Sequence, residues 1–148
     1  AAMVLLGLAM LAATGPSGAA KPAKGRAMTV YRDPGCGCCV AWARIAERAG
    51  YTVTLVERRD MGAVKAKLGV PGALASCHTS IIGGYAVEGH VPLAAVKRLL
   101  TTKPKGVIGI AVPGMPRGSP GMEMPDGSAD KFAVLAFDAA GKSRTFAY

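Results

Sequence analysis

Apolar and polar positions alternate along this chain in blocks of two different periods. Met28 to Arg32 reads as a short strand that runs into the turn residues Asp33, Pro34 and Gly35. The pattern then changes to helical spacing, with Ala41, Trp42, Ile45, Ala46 and Ala49 on one stripe and Arg44, Glu47 and Arg48 opposite. That helix opens in Cys36–Cys39 and stops at Gly50. Tyr51 to Val56 is expected as a second strand. Asp60 is placed to cap a short helix that turns Met61, Val64 and Leu68 to one side before Gly69. Strands over Thr79 to Ile82 and Tyr85 to Glu88 follow, joined by Gly83-Gly84. Pro92 suits the first turn of a third helix with Leu93, Val96, Leu99 and Leu100 inward. Residues 104–130 are dense in proline and glycine and read as one long loop, a length that usually marks function or disorder. Phe132 to Phe137 and Ser143 to Phe146 close the chain as a hairpin turning through Asp138 to Gly141.

The predicted order is β-α-β-α-β-β-α with an added loop and hairpin, an α/β domain. A right-handed crossover sets its first two strands parallel. Over residues 27–102 this order resembles the thioredoxin fold, in which a strand leads into a Cys-x-x-Cys at a helix N-terminus. The slot of that family's proline falls within Cys77-His78-Thr79, so a cysteine and a histidine stand where proline would. This departure argues against ordinary dithiol–disulfide exchange.

Ahead of the domain, Ala1 to Ala20 carries no charge, and its apolar run Val4 to Ala13 is too short for a bilayer, which takes roughly 20 residues. Residues 1–20 are expected to be a secretory signal peptide whose basic leader lies before the first residue given, with residues 21–26 as a polar linker. Export implies a periplasmic location and no membrane span after cleavage. The net charge of +9 would suit nucleic acid, but the basic residues are scattered, aromatics are few, and export separates the chain from the genome. Nucleic acid is therefore not an expected partner.

Three of the four cysteines crowd into Cys36-Gly37-Cys38-Cys39 and the fourth is Cys77. At a helix N-terminus the free N–H groups and the dipole favour thiolates, the form that metals bind. Thiolates this close repel unless disulfides or cations neutralise them. A Cys36–Cys39 disulfide is credible but leaves Cys38 and Cys77 over. A closed zinc site more often uses two spaced Cys pairs. Adjacent thiolates favour sulfurs bridging several soft monovalent ions, which points to copper(I) with zinc as the alternative. His78, His90, Met115, Met122 and Met124 are candidate supporting ligands. Glu57, Asp60 and Glu88 form no evident paired-carboxylate site, and the glycines match no phosphate-binding motif.

Four motifs make a resemblance specific: Tyr31 with Cys36-Gly37-Cys38-Cys39, Cys77-His78-Thr79, Gly89-His90-Val91-Pro92, and the run from Gly114-Met115-Pro116 to Gly121-Met122-Glu123. Together they resemble the CopG-type copper-resistance proteins, exported metal-binding proteins with a thioredoxin-like core. The resemblance implies copper ligation by Cys36, Cys38, Cys39 and Cys77, an envelope location and a role in copper tolerance; copper ions are the expected partners, with other periplasmic copper-handling proteins as further candidates. Three functions stay open: copper(I) sequestration or redox handling, thiol–disulfide oxidoreduction through Cys36 and Cys39, and a zinc-stabilised structural module. The predicted topology also carries a geometric expectation. It sets Cys77 beside the start of the first helix, with its sulfur within about 5 Å of another cysteine sulfur.

Overall fold

The computed structural model describes residues 26–148. The expected signal peptide and nearly all of the linker lie outside these residues. Within them the order is β1 (Ala27–Arg32), α1 (Gly37–Arg48), β2 (Thr52–Glu57), α2 (Met61–Lys67), a 3₁₀ turn (Gly72–Leu74), β3 (His78–Ile82), β4 (Tyr85–Glu88), α3 (Leu93–Thr102), β5 (Val107–Ala111), β6 (Leu135–Asp138) and β7 (Ser143–Thr145). Seven strands form one mixed sheet in the order β2-β1-β3-β4-β5-β6-β7. β1 and β2 are parallel, as the crossover through α1 requires. β3 runs antiparallel to both β1 and β4.

Strand alternation divides the core between the two faces of the sheet. On one face Trp42 and Ala46 of α1 and Val96 and Leu99 of α3 pack with Val30, Ile82, Val87 and Ile110. On the other, Val70 and Leu74 meet Ala86, Ala111 and Phe137. The stripe of α1 is rotated from the expected one: Cys39, Trp42, Ala43 and Ala46 are buried, while Ala41 and Ile45 are half-buried and Ala49 is exposed. Asp60 caps α2 as expected, accepting a hydrogen bond from the Ala63 N–H at 3.0 Å.

The expectation of one loop over residues 104–130 is corrected, because β5 lies inside it. Val107–Ala111 sits between β4 and β6, so it needs a continuous apolar run and shows no polar alternation. Pro104, Gly106, Pro113 and Gly114 around it mask that run. Gly109 is obligatory here: a Cβ would stand 2.5 Å from the Ala86 carbonyl and closer still to the Phe137 ring. The true loop is residues 112–134, and it is ordered by its own hydrogen bonds. Gly118 N–H donates to the Met122 carbonyl, Met122 N–H to the Ser119 carbonyl, and Asp130 N–H to the Arg117 carbonyl.

Candidate metal centre

The site is built where three segments meet: the turn into α1, the entry to β3, and the exit of β4. Cys36 is the N-cap of α1 and offers no side-chain cap; its N–H is held by the Asp33 carbonyl at 3.0 Å. Arg32 braces this turn, donating to the Asp33 and Pro34 carbonyls and to Glu57. Cys36 and Cys39 form a disulfide, leaving Cys38 and Cys77 as free thiols. The β1–β3 pairing sets Arg32 opposite His78, which brings Cys77 back to the start of α1. The four sulfurs lie within 4.8 Å of one another, with 3.5 Å between those of Cys36 and Cys38 and 4.0 Å between those of Cys38 and Cys77. The expected proximity of Cys77 is thus met.

Both histidines of the chain stand at the same place and are fully buried. His90 Nδ1 donates to the Pro120 carbonyl at 2.7 Å, which leaves Nε2 with its lone pair directed at Cys77 Sγ, 3.0 Å away. A carbonyl on the far nitrogen is the usual way a ligating histidine is oriented. His78 Nδ1 lies 3.3 Å from the same sulfur. Its Nε2 is buried with no hydrogen-bond partner among the described residues, and packing positions the ring instead, 4.9 Å from the Trp42 ring and edge-on to His90.

Burial dominates the electrostatics. It pushes the Cys77 thiol up to about 12, with the neighbouring Cys38 adding to the rise. Cys77 lies outside the α1 N-terminus whose dipole favours thiolates at Cys36, Cys38 and Cys39, and it is a neutral thiol until a cation displaces its proton. Burial likewise pushes His78 down to about 3, helped by His90 and Lys65, and burial is the chief cause holding His90 below its ordinary value. Both rings are neutral at pH 7, the form that binds metals.

A buried ionic clamp lies behind Cys77, and sequence reasoning missed it. Glu88 is fully buried and faces Thr79 across the β3–β4 ladder. It accepts from the Ser76 N–H at 2.7 Å, from the Thr79 hydroxyl at 2.6 Å, and from Lys65 Nζ of α2. One carboxylate therefore fixes the residues on both sides of Cys77-His78. Ser76 also donates its hydroxyl to the Gly114 carbonyl, tying this segment to the start of the loop.

The loop closes over the site through Pro120 and Gly121. A Cβ on Gly121, whose φ is +84°, would lie 2.9 Å from Trp42 N and 3.2 Å from the Cys38 carbonyl. Of the candidate methionines, Met115 and Met124 are exposed and Met122 is half-buried. Soft sulfur and neutral imidazole donors in one partly buried cluster fit a soft or borderline metal ion and offer little to a hard one.

Comparison with known proteins agrees with this chemistry. A sequence family described as "Protein of unknown function, DUF411" matches residues 74–122, which hold Cys77, both histidines and the start of the loop. No match is found among curated proteins. The solved structure titled "Copper resistance protein copG- Form 1" shares 45% identity with a TM-score of 0.76, covering 82% of this chain and 94% of its own. "Copper resistance protein copG- Form 2" shares 44% identity with a TM-score of 0.75, covering 80% and 94%. With identity at this level over most of both chains, this protein belongs to the CopG family of copper resistance proteins.

Proposed function

We propose that this protein binds copper(I) through Cys36, Cys38, Cys39 and Cys77 in a polynuclear thiolate site, and that it serves copper resistance in the periplasm by sequestering copper or handling its oxidation state. The convergence of four sulfurs within 4.8 Å of one another carries the reading. Four thiolates around one zinc would leave two uncompensated negative charges in a partly buried site, whereas several cuprous ions bridged by sulfur neutralise them. His90 is the first supporting ligand, because its far nitrogen is already anchored; His78 is the second. The methionines of the loop serve as softer outer ligands. Residues 1–20 act as the export signal, and the β2-β1-β3-β4 half of the sheet with its helices is a thioredoxin-like core. No helix among the described residues is long and apolar enough to cross a membrane.

Loading all four sulfurs requires the Cys36–Cys39 disulfide to take two electrons and two protons from a dithiol reductant. That disulfide, set at a helix N-terminus, also supports a second reading, a thiol–disulfide oxidoreductase. Anaerobic titration of the fully reduced protein decides between these readings and a zinc module. The expected result is more than one copper(I) per chain with ultraviolet thiolate-to-copper absorption, and a sharp loss of stoichiometry in Cys77→Ser. One tight zinc whose removal unfolds the chain would favour the structural module. Wild-type copper stoichiometry in Cys77→Ser would defeat the single-site reading.

A further inference from the structure

The disulfide divides the donors of this site into two sets. With Cys36 and Cys39 joined, their sulfurs no longer offer thiolates, yet Cys38 and Cys77 remain free. Independently of the four-cysteine group, Cys77 Sγ and one ring nitrogen each of His78 and His90 lie within 4.8 Å of one another. Cys38 Sγ stands 4.0 Å from Cys77 Sγ, the one member of this second set that it approaches within 4.8 Å.

We propose that the disulfide form of this protein is itself a metal-binding state, in which Cys38, Cys77, His78 and His90 hold one zinc(II)-class ion. Bond lengths set the size that the cradle must reach. Tetrahedral zinc with Zn–S near 2.3 Å and Zn–N near 2.05 Å places two sulfurs about 3.8 Å apart and a sulfur and a nitrogen about 3.6 Å apart. The corresponding distances here are 4.0 Å for Cys38–Cys77, 3.3 Å for Cys77–His78 and 3.0 Å for Cys77–His90. Cys77 and the two histidines must spread by roughly 0.3–0.6 Å to reach these values. Cys38 Sγ, which lies outside the 4.8 Å group that Cys77 forms with the two ring nitrogens, must swing in by side-chain rotation to complete the shell.

Charge selects the class of ion. A divalent ion that displaces the protons of Cys38 and Cys77 forms a neutral centre with two thiolates and two uncharged imidazoles. A single copper(I) in the same set would leave it at −1 in a partly buried site, where an unbalanced charge is costly. Two sulfurs and two nitrogens in tetrahedral array are also a characteristic zinc donor set. His90 is braced for this by Pro120, and His78 by its packing on Trp42. The opened, four-thiolate form suits several monovalent ions; the closed, disulfide form suits one divalent ion. This inference stands apart from the copper(I) reading, since it concerns a different ion in the oxidised chain.

The test uses the full chain with its disulfide intact, verified by two titratable thiols per chain, and cobalt(II) as the probe. One cobalt(II) per chain is expected, with tetrahedral visible bands, charge-transfer intensity for two thiolates, and bleaching by one equivalent of zinc(II). His78→Gln and His90→Gln should each weaken cobalt binding about tenfold or more. A Cys36→Ser/Cys39→Ser double variant keeps the remaining donors without any disulfide, so it should give the same cobalt spectrum. X-ray absorption of its zinc form should show two sulfurs and two imidazole nitrogens even where the histidine variants fold poorly. Absence of cobalt uptake by the oxidised chain would overturn the proposal. So would a zinc shell in the double variant that lacks imidazole nitrogen. Neither result depends on how the reduced chain binds copper(I).

Discussion

The His90 ring is held between two partners on different segments, with Nδ1 donating to the Pro120 carbonyl at 2.7 Å and Nε2 lying 3.0 Å from Cys77 Sγ. One side chain thus links the exit of β4, the entry of β3 and the loop over the site. A displacement of Cys77 Sγ is therefore expected to reach the loop through this ring.

His90→Ala should therefore have two effects. Copper retention or its spectrum should change, and protease cleavage within residues 112–134 should speed up in the metal-free protein as the Pro120 anchor is lost. Mass mapping of the first cuts reads the second effect directly. A replacement of Met115, Met122 and Met124 together by Leu keeps apolar size while removing sulfur. It should lower copper retention with little change in cleavage. Unchanged retention would retire the methionines as ligands.

Glu88 gives a separate prediction about positioning. Its carboxylate has no access to solvent, and Lys65, Thr79 and Ser76 all depend on it. Glu88→Ala strands a lysine and two donors, so the metal-free protein should lose about 3–5 kcal/mol in urea unfolding. Glu88→Gln keeps the size and one acceptor oxygen, and should recover part of that loss. Both variants should weaken copper affinity beyond what unfolding explains, because Ser76 and Thr79 flank Cys77-His78. Affinity measured well below the unfolding midpoint would expose the idea as wrong if it matched the wild type.

Gly121 tests the closure of the loop on α1. Its φ of +84° disfavours any L side chain, and an added Cβ would press on Trp42 N and the Cys38 carbonyl. Gly121→Ala should shift the loop away from the site, destabilise the protein by about 1–3 kcal/mol, and speed alkylation of Cys38. A matching Gly127→Ala, also at positive φ but with nothing near its Cβ, should leave the alkylation rate unchanged.

The elements that carried clear local signals were legible in the sequence. Gly83-Gly84 joins β3 to β4 as expected, and Asp60 caps α2. The stripe of α1 differs from the expected one because Cys39 serves packing as well as chemistry, its side chain being fully buried core. β5 was hidden because proline and glycine punctuate both ends of a strand buried between two neighbours. The approach of Cys77 followed from topology, since the sheet order alone returns it to the start of α1. Other parts of the site carry no local signal. The Glu88–Lys65 pair spans 23 residues, and the carbonyl that anchors His90 belongs to Pro120, 30 residues away. A backbone acceptor leaves no trace in residue identity.

The last prediction concerns acid. Burial, His90 and Lys65 hold His78 down to about 3, against an ordinary value of 6.5, and His90 is held down as well. The unfolded chain therefore binds more protons than the folded one wherever the pH lies between these values. Stability is fully present above pH 6.5 and is lost as pH falls toward about 3. One such histidine gives a slope of at most about 1.4 kcal/mol per pH unit, and His90 adds to it over the upper part of the window. Between pH 6.5 and about 4.5 most carboxylates remain ionised, so the histidines dominate the slope there. Urea unfolding of the metal-free protein across that interval should show stability falling with pH. His78→Gln should flatten the curve by up to one proton's worth while lowering or preserving stability at pH 7. An unaltered slope in His78→Gln would mean that the ring already takes up its proton in the folded state, and that a relaxed site exposes it to water.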